Sequence, residues 1–254
     1  NNQSLVQLGY GKNQVRFRAT MTDKTSSIAV DLASNKEETK KMLSDAASPV
    51  ANGMCISDIS EIETVINRVG FPLVFKPLDG NHGKGASINV KTKEEALVAF
   101  EHAKKYSRKI IVEKFISGFD FRILVINHRF IAAALREPAH VIGDGVSTIE
   151  QLIALENQDE RRGYGHENVL TEISIDRETH DVLSKLNYTL ETILETGEKC
   201  YLKGTANLST GGTSTDVTDI VHPSNIFIFE RISRVIGLDI CGIDVMATSL
   251  SEPI

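Results

Sequence analysis

Residues 71–90 read FPLVFKPLDGNHGKGASINV and contain two β-rich runs joined by a glycine loop. The first run carries Lys76 and ends at Pro77, and the second begins at Ala86. Glycines allow backbone N–H groups to approach phosphate oxygens, and a lysine neutralises phosphate charge. The stretch therefore predicts a strand–loop–strand unit that suits the binding of a nucleoside triphosphate. A plain hairpin turn fits the glycine pattern equally well, because short glycine motifs have a high false-positive rate.

The loop departs from the P-loop motif G-x-x-x-x-G-K-[ST] in both sequence and context. Lys84 follows Gly83, but the next residue is Gly85 instead of Ser or Thr. A P-loop also runs from a strand into the N-terminus of a helix, whereas residues 87–90 alternate as a strand. The sequence therefore predicts a glycine loop between two strands and not the P-loop of an NTPase.

Composition places the chain among globular proteins of one large domain or two smaller ones, with 254 residues, 41% hydrophobic and 24% charged. The net charge of −6 argues against general nucleic-acid binding. No apolar run approaches the ~20 residues of a membrane-spanning helix, so we expect no membrane partner. The three cysteines are odd in number and widely spaced, which favours a reducing compartment and a cytoplasmic location.

Helix and strand patterns are mixed along the chain, and several strands pair as hairpins, which predicts an α+β fold and not a doubly wound parallel sheet. Residues 1–33 read as short extended segments, including 4–9 and 27–32. The predicted helices cover residues 36–46, 58–69, 94–106, 148–156, 176–195 and 222–236. The further predicted strands cover residues 109–114, 121–125, 130–134, 169–175, 199–204 and 241–247.

Charged residues inside or beside apolar strands are the candidates for chemistry, because an unpaired charge is costly to bury. Lys76 fits an anion site or a solvent-facing strand edge. Glu113 and Lys114, at the end of a strand, fit the recognition of an adenine nucleotide or an exposed charge pair. Asp244, within LDICGIDVMA, fits a magnesium ligand or a salt bridge. Several other residues fit carboxylate recognition or plain surface charge, namely Arg122, Arg136, Arg161, Arg162 and His166.

Three longer strings are far more specific than the glycine loop alone: NHGKG at 81–85, GHENVL at 165–170 and ANLSTGG at 206–212. With the residues around them they resemble the ATP-grasp carboxylate–amine ligases, and most closely the central domain of the cyanophycin synthetases. The resemblance covers nearly the whole chain. It implies an ATP-grasp fold with two α+β subdomains that clamp ATP.

The resemblance also implies a domain division. Residues 1–33 would be a lead-in from a preceding N-terminal domain, residues 34–118 the small subdomain with the glycine-rich lid, and residues 119–254 the large subdomain. In the family, a Glu-x-Asn element follows the strand of Asp244 and supplies further metal ligands. The 254 residues end at Ile254 before such an element. We therefore expect the large subdomain to be incomplete and the fragment alone to be inactive.

The residues that the resemblance assigns to ATP and magnesium have distinct roles. The two lysines on the ATP phosphates would be Lys36 and Lys76, with Lys203 as a further phosphate contact. The lid over the triphosphate would be residues 80–85, with Gly83, Lys84 and Gly85 close to the nucleotide. The adenine hinge would be Glu113, Lys114 and Ile116, the ribose would be held by Asp120, and Mg²⁺ would be bound by Asp244.

Three catalytic residues, His82, Arg122 and Ser209, would lie near the acceptor peptide and the acyl-phosphate site. The implied reaction activates a carboxylate with ATP through an acyl phosphate and then forms an amide. Its implied partners are ATP, Mg²⁺, aspartate and an acidic peptide primer, and the product would be the polyaspartate backbone of cyanophycin (multi-L-arginyl-poly-L-aspartate). We also expect a homo-oligomer with further domains of the same chain on both sides.

Two alternatives share the ATP site. The first is a glutathione synthetase-like ATP-grasp ligase, which differs in its acceptor. The second is a non-catalytic ATP-binding module.

Neither the G-x-S-x-G elbow nor the H-E-x-x-H zinc motif occurs in the sequence, so a covalent serine nucleophile of that type and a zinc protease are both disfavoured.

Overall fold

The computed structural model describes residues 5–79, 85–165 and 168–254. The strands are β1 (Leu5–Leu8), β2 (Val15–Arg18), β3 (Met21–Thr22), β4 (Gly53–Ile56), β5 (Leu73–Pro77), β6 (Ser87–Val90), β7 (Ile110–Lys114), β8 (Phe119–Ile126), β9 (Arg129–Glu137), β10 (His140–Ile142), β11 (Arg162–Gly163), β12 (Leu170–Thr171), β13 (Lys199–Tyr201), β14 (Thr213–Asp216) and β15 (Ile240–Ala247). The α-helices are α1 (Ser27–Ser34), α2 (Lys36–Asp45), α3 (Ile62–Val69), α4 (Lys93–Lys104), α5 (Ile149–Glu156), α6 (Arg177–Lys185) and α7 (Pro223–Ile236). The prediction of a mixed α+β fold is confirmed.

The predicted strand–loop–strand unit forms half of an antiparallel sheet with the order β4-β7-β5-β6, here called the small sheet. Helices α3 and α4 pack on one face and bury apolar side chains such as Phe75, Phe100 and Val112. Helix α4 begins where the Thr92 hydroxyl accepts a hydrogen bond from the Glu95 N–H, as its capping-box spacing predicts. The opposite face of the small sheet is therefore left for other contacts.

A second antiparallel sheet has the order β14-β9-β8-β15 and is here called the large sheet. One of its faces packs against α7 through an apolar cluster that includes Phe121, Ile123 and Phe229. The β8–β9 hairpin turns at Asn127 and His128, both of which have positive φ, as a tight two-residue turn requires. Because side chains alternate along each strand, the other face of the large sheet carries the polar residues.

The remaining elements form three smaller groups. Strands β10 and β13 pair, and α5 and α6 pack with them around a core that includes Ile149, Leu183 and Leu202. Strands β11 and β12 make a short parallel pair. Strands β1, β2 and β3 form a separate antiparallel sheet at the start of the described chain. The division into 1–33, 34–118 and 119–254 stays a prediction.

Two element predictions are wrong, and the strands predicted over residues 169–175 and 199–204 are shorter, at Leu170–Thr171 and Lys199–Tyr201. Residues 27–32 form helix α1 instead of an extended segment, because the Ser26 hydroxyl caps the Ala29 N–H at 3.1 Å and Ala29 is buried. The long helix predicted over residues 176–195 stops at Lys185. Asn187 adopts φ 59°, which turns the chain out of the helix, and its left-handed conformation is one that asparagine tolerates.

Over the residues that the structure describes, every helix is too short or too polar to cross a membrane.

Candidate active site

Three charged side chains meet on the face of the small sheet opposite α3 and α4. Lys40 Nζ lies 2.7 Å from Glu113 Oε1, and Lys76 Nζ lies 3.3 Å from Glu113 Oε2. Lys76 and Glu113 share this face because their strand neighbours Phe75 and Val112 point into the core on the other side. Lys76 and Glu113 therefore belong to one charged cluster on this face, in which Lys76 is half exposed and Glu113 is largely covered.

Glu113 remains ionised in this setting. Burial alone would raise its pKa, but the hydrogen bond from Lys40 and the positive charge of Lys76 outweigh burial and hold the pKa below its ordinary value. A single carboxylate thus orders two ammonium groups, and the cluster keeps a net positive charge. Such a patch suits an anion as its next partner.

Lys40 was not among the predicted site residues. It lies one helical turn after Lys36, the first residue of α2, so the two lysines project from the same side of the helix. Both line a cleft of about 620 Å³ between α2 and β4. The i, i+4 spacing from Lys36 is the sequence signal that could have identified Lys40.

The hinge residues after Glu113 divide between two faces of the sheet. The Lys114 ammonium donates hydrogen bonds to the carbonyls of Gly70 and Phe71 on the α3–α4 side. Its side chain is thus kept apart from Glu113, because consecutive strand residues point to opposite faces. Ile116 is 40% exposed on the hinge that joins the two sheets. A contact of Lys114 or Ile116 with adenine stays a prediction. For Lys114 the contact would have to come from the backbone, because its ammonium group already binds the two carbonyls.

The glycine-rich lid is described only at its end. His82, Gly83 and Lys84 lie outside the described residues. Gly85 has φ 73°, and a Cβ built on it would meet a Tyr106 ring carbon at 2.5 Å. The return from the loop into β6 therefore requires glycine at this position.

The polar face of the large sheet holds a network of two arginines and two aspartates. Arg136 donates to Asp120 Oδ1 from Nε at 2.9 Å and from Nη2 at 2.6 Å, and also reaches Asp244 Oδ1 at 2.9 Å. Arg122 donates to the same Asp244 oxygen at 2.8 Å. The structure thus brings together three predicted site residues, Asp120, Arg122 and Asp244, and joins them through Arg136.

Asp120 and Asp244 differ in their surroundings. Burial raises the pKa of Asp120 above its ordinary value, and although Arg136 opposes this effect, the negative charge of Asp244 adds to it. The Asp244 side chain is 62% exposed and presents its carboxylate on the open face. Asp244 is therefore the more accessible of the two carboxylates.

Asp244 fits Mg²⁺ as one ligand of several. Magnesium binds through one or two carboxylates together with phosphate oxygens and water. No group of three or more His, Cys, Asp or Glu residues within 5–79, 85–165 and 168–254 is arranged to hold a metal ion by itself. A metal at Asp244 would therefore share its coordination with a phosphorylated ligand or with residues outside this part of the chain.

Ser209 lies in a short turn, Leu208–Thr210, that ends at Gly211 with φ 91°. Arg162 links this turn to β12, since its Nη1 donates to the Gly211 carbonyl at 3.0 Å and to the Thr171 carbonyl at 2.8 Å. The Arg162 side chain is only 3% exposed, so it supports the loop and does not face a substrate. A Cβ on Gly212 would meet the Glu137 carbonyl at 2.7 Å, which shows that the turn lies against the end of β9, next to Arg136.

Lys203 has a different environment from the one expected of a phosphate-contacting lysine. Its side chain is fully buried, with Nζ 2.6 Å from Asp176 Oδ2 and 3.0 Å from Thr179 Oγ1. The structure does not group it with Lys40 and Lys76, because its ammonium group is paired with the N-cap residue and the first turn of α6. A phosphate contact of Lys203 stays a prediction, and it would require the ion pair with Asp176 to open.

Comparisons with known proteins identify the class. The model of the ATP-grasp domain family matches residues 41–140, which include the small sheet, the hinge and strands β8 and β9. The crystal structure of a bifunctional glutathione synthetase from Pasteurella multocida superimposes with a TM-score of 0.71 and 28% identity, over 99% of this chain and 34% of that one. The chain therefore has the ATP-grasp fold and is related to the ATP-grasp ligases.

Curated relatives with higher sequence identity narrow the class further. A cyanophycin synthetase of Trichormus variabilis is 49% identical over 251 residues, which is 98% of this chain and 28% of the relative. The glutathione biosynthesis bifunctional protein GshAB of Clostridium perfringens is 33% identical over 238 residues, 92% of this chain and 31% of the relative. The chain is thus a homologue of cyanophycin synthetases that spans less than a third of their length.

Proposed function

We propose that this chain is the ATP-binding part of a carboxylate–amine ligase that adds aspartate to the backbone of an acidic peptide, as in the synthesis of cyanophycin. The observation that carries the proposal is the network of Asp120, Arg122, Arg136 and Asp244 on the open face of the large sheet. It combines an exposed carboxylate for a metal with guanidinium groups that bind carboxylates. The likeness to cyanophycin synthetases supports the choice of substrate.

In the proposed reaction, a carboxylate oxygen of the peptide attacks the γ-phosphorus of ATP. The bond from that phosphorus to ADP breaks, and an acyl phosphate forms. The amine of aspartate then attacks the acyl carbon, loses a proton and displaces phosphate, which leaves an amide. This chemistry requires alignment and charge neutralisation more than a protein nucleophile, in agreement with the lack of a nucleophile motif.

Several described site residues have a proposed part in that reaction. Lys36 and Lys76 neutralise the ATP phosphates, and Glu113 holds Lys76 in place through their 3.3 Å contact. Asp120 binds the ribose, and Arg122 with Ser209 binds the peptide end. Mg²⁺, when bound at Asp244, supplies charge neutralisation at the transferred phosphoryl group.

The remaining proposed groups belong to the lid, which would exclude water from the acyl phosphate. His82, Gly83 and Lys84 would face the triphosphate and the peptide when the lid is closed. Gly85 would let the closed lid return into β6. These roles rest on the resemblance and stay proposals.

Replacing Lys76 with Ala tests the ATP site. In a chain extended past Ile254 by the metal-binding element of the family, ADP release that depends on Mg-ATP, aspartate and an Asp-Arg-decorated primer should fall about 10- to 100-fold, because a charge-assisted phosphate contact is lost. Lys93→Ala is the matched control, since Lys93 makes only an exposed pair with Glu63 at 2.8 Å. A wild-type chain that binds ATP but releases no ADP with any acceptor would refute the ligase proposal.

A second candidate function is a glutathione synthetase-like ligation. The 33% identity to GshAB and the superposition on the Pasteurella multocida glutathione synthetase favour it. It shares the ATP site and differs in the acceptor. ADP release with a dipeptide acceptor, and none with the aspartate primer, would select this candidate over the first.

A further inference from the structure

Gly242 lies in the middle of β15, on the polar face of the large sheet, two residues before Asp244. Its φ lies outside the left-handed region, so the backbone conformation there is one that any residue adopts. Glycine inside a strand weakens the strand, because it adds no side chain to pack and increases the entropy lost on folding. The backbone therefore gives no reason for glycine at this position.

The space above Gly242 is filled by the head of Arg122. A Cβ built on Gly242 would lie 2.5 Å from Arg122 Cζ and 2.8 Å from Arg122 Nε, both far too close. Arg122 pairs directly opposite Asp244 in the register of β8 and β15, and its guanidinium lies over Gly242 while Nη1 donates to Asp244 Oδ1 at 2.8 Å. The absence of a side chain at 242 is what lets the guanidinium occupy this position.

We propose that Gly242 is a positioning residue that seats Arg122 against Asp244. Gly242 makes no contact with substrate in this proposal, and it acts only by leaving room for the guanidinium. A methyl group at 242 would push the head of Arg122 outwards. Because the colliding atoms are the end of a long side chain, the strand would keep its place and only the arginine head would move. The inference deepens the proposed function, in which Arg122 binds the peptide end.

The second arginine of the network makes the effect specific. Arg136 reaches Asp120 and Asp244 from β9. The three atoms nearest to a Cβ at 242 all belong to Arg122 and none to Arg136. Gly242→Ala should therefore displace one guanidinium and leave Asp244 paired with the other.

A double-mutant cycle tests the seating. In the extended chain, Gly242→Ala and Arg122→Ala should each lower kcat/KM for the peptide acceptor by about 10- to 100-fold, as expected for one lost charge-assisted contact. The double variant should be no worse than Arg122→Ala alone, since both changes remove the same interaction. KM for ATP should stay unchanged. Multiplying effects, or full activity in Gly242→Ala, would overturn the inference.

A spectroscopic readout separates this inference from the proposed function. The Nε–Hε NMR signal of Arg122, assigned by its loss in Arg122→Ala, should shift in Gly242→Ala without any ligand. It should not shift in Gly204→Ala, whose added Cβ would lie 3.6 Å from its nearest neighbour, Glu178 Oε1. An unshifted signal in Gly242→Ala refutes the seating whatever the activity. A shifted signal together with an extended chain that has no ligase activity supports the seating and refutes the proposed function.

Discussion

Replacing Asp176 with Asn is expected to lower the free energy of unfolding by about 1–3 kcal/mol, because the change leaves the buried charge of Lys203 without its counter-ion, while solvent around the 48% exposed Asp176 side chain screens part of that loss. Lys203 is fully buried, and its Nζ lies 2.6 Å from Asp176 Oδ2. The other carboxylate oxygen of Asp176 caps α6 by accepting the Thr179 N–H at 3.1 Å. An asparagine has only one side-chain oxygen. If that oxygen accepts the Thr179 N–H, the NH₂ group faces the Lys203 ammonium and cannot accept a hydrogen bond from it.

Chemical denaturation at pH 7 measures the effect, and two variants control it. Asp181→Asn, on the same helix, breaks only an exposed pair with Arg177 at 3.9 Å and should change stability by less than about 0.5 kcal/mol. Adding Lys203→Met to Asp176→Asn should restore stability, since no buried charge remains. If Asp176→Asn left stability intact but reduced ATP turnover, Lys203 would be serving the phosphates, as the resemblance implies.

The difference between wild type and Asp176→Asn should depend on pH. Partial burial opposes ionisation of Asp176, but the hydrogen bonds from Lys203 and from the Thr179 N–H outweigh burial and lower its pKa in the folded chain. A carboxylate with a lowered folded pKa stabilises the fold above its unfolded pKa, whose ordinary value is 3.8. The difference should therefore be complete at neutral pH and should shrink as the pH falls below that value.

The local parts of this fold could be predicted from the sequence because they depend on neighbours in the chain. The β-rich apolar run around Lys76 predicted β5, the alternation over residues 87–90 predicted β6, and Thr92 with Glu95 predicted the start of α4. The end of α6 was missed, because a left-handed asparagine at 187 stops the helix where the sequence continues a helical pattern. Periodicity alone does not reveal such a stop.

Arg136 shows why the site was harder to predict than the fold. The hairpin turn pairs Ile126 with Arg129, and continuing that register would place Asp120 opposite Leu135. A bulge between Leu124 and Val125 shifts the pairing by one residue, so that Asp120 instead faces Arg136. A register shift of one residue changes which side chains share a face, and no local sequence pattern predicted this bulge.

The environments of Lys114 and Lys203 were unpredictable for a related reason. Lys114 directly follows Glu113, but strand alternation directs its side chain away from Glu113, and Lys203 is held by Asp176. Their partners, the Gly70 and Phe71 carbonyls and the Asp176 carboxylate, come from other segments of the chain. Only the three-dimensional structure shows that these lysines already have partners.

Replacing Asp244 with Asn is expected to lower kcat for ADP release by about 100- to 1,000-fold, the range found when one preorganised charge-stabilising group is removed. The proposed Mg²⁺ ligand loses its charge while its shape is kept. Stability should change by less than about 1 kcal/mol, because the pairs of Asp244 with Arg122 and Arg136 lie on an exposed face, with Asp244 62% exposed. Large loss of activity with an intact fold is the expected combination.

The Mg²⁺ dependence of the rate in the extended chain decides whether the loss arises from the metal. Asp244→Asn should need a higher Mg²⁺ concentration for half-maximal rate, whereas Asp219→Asn, an exposed acid in the turn before α7, should match wild type. Arg122→Ala should lower the rate without raising the Mg²⁺ midpoint, since it removes a positive charge that lies 2.8 Å from Asp244 Oδ1. An unchanged midpoint in Asp244→Asn would assign Asp244 to the orientation of Arg122 and Arg136, and Mg²⁺ would then be bound by other residues.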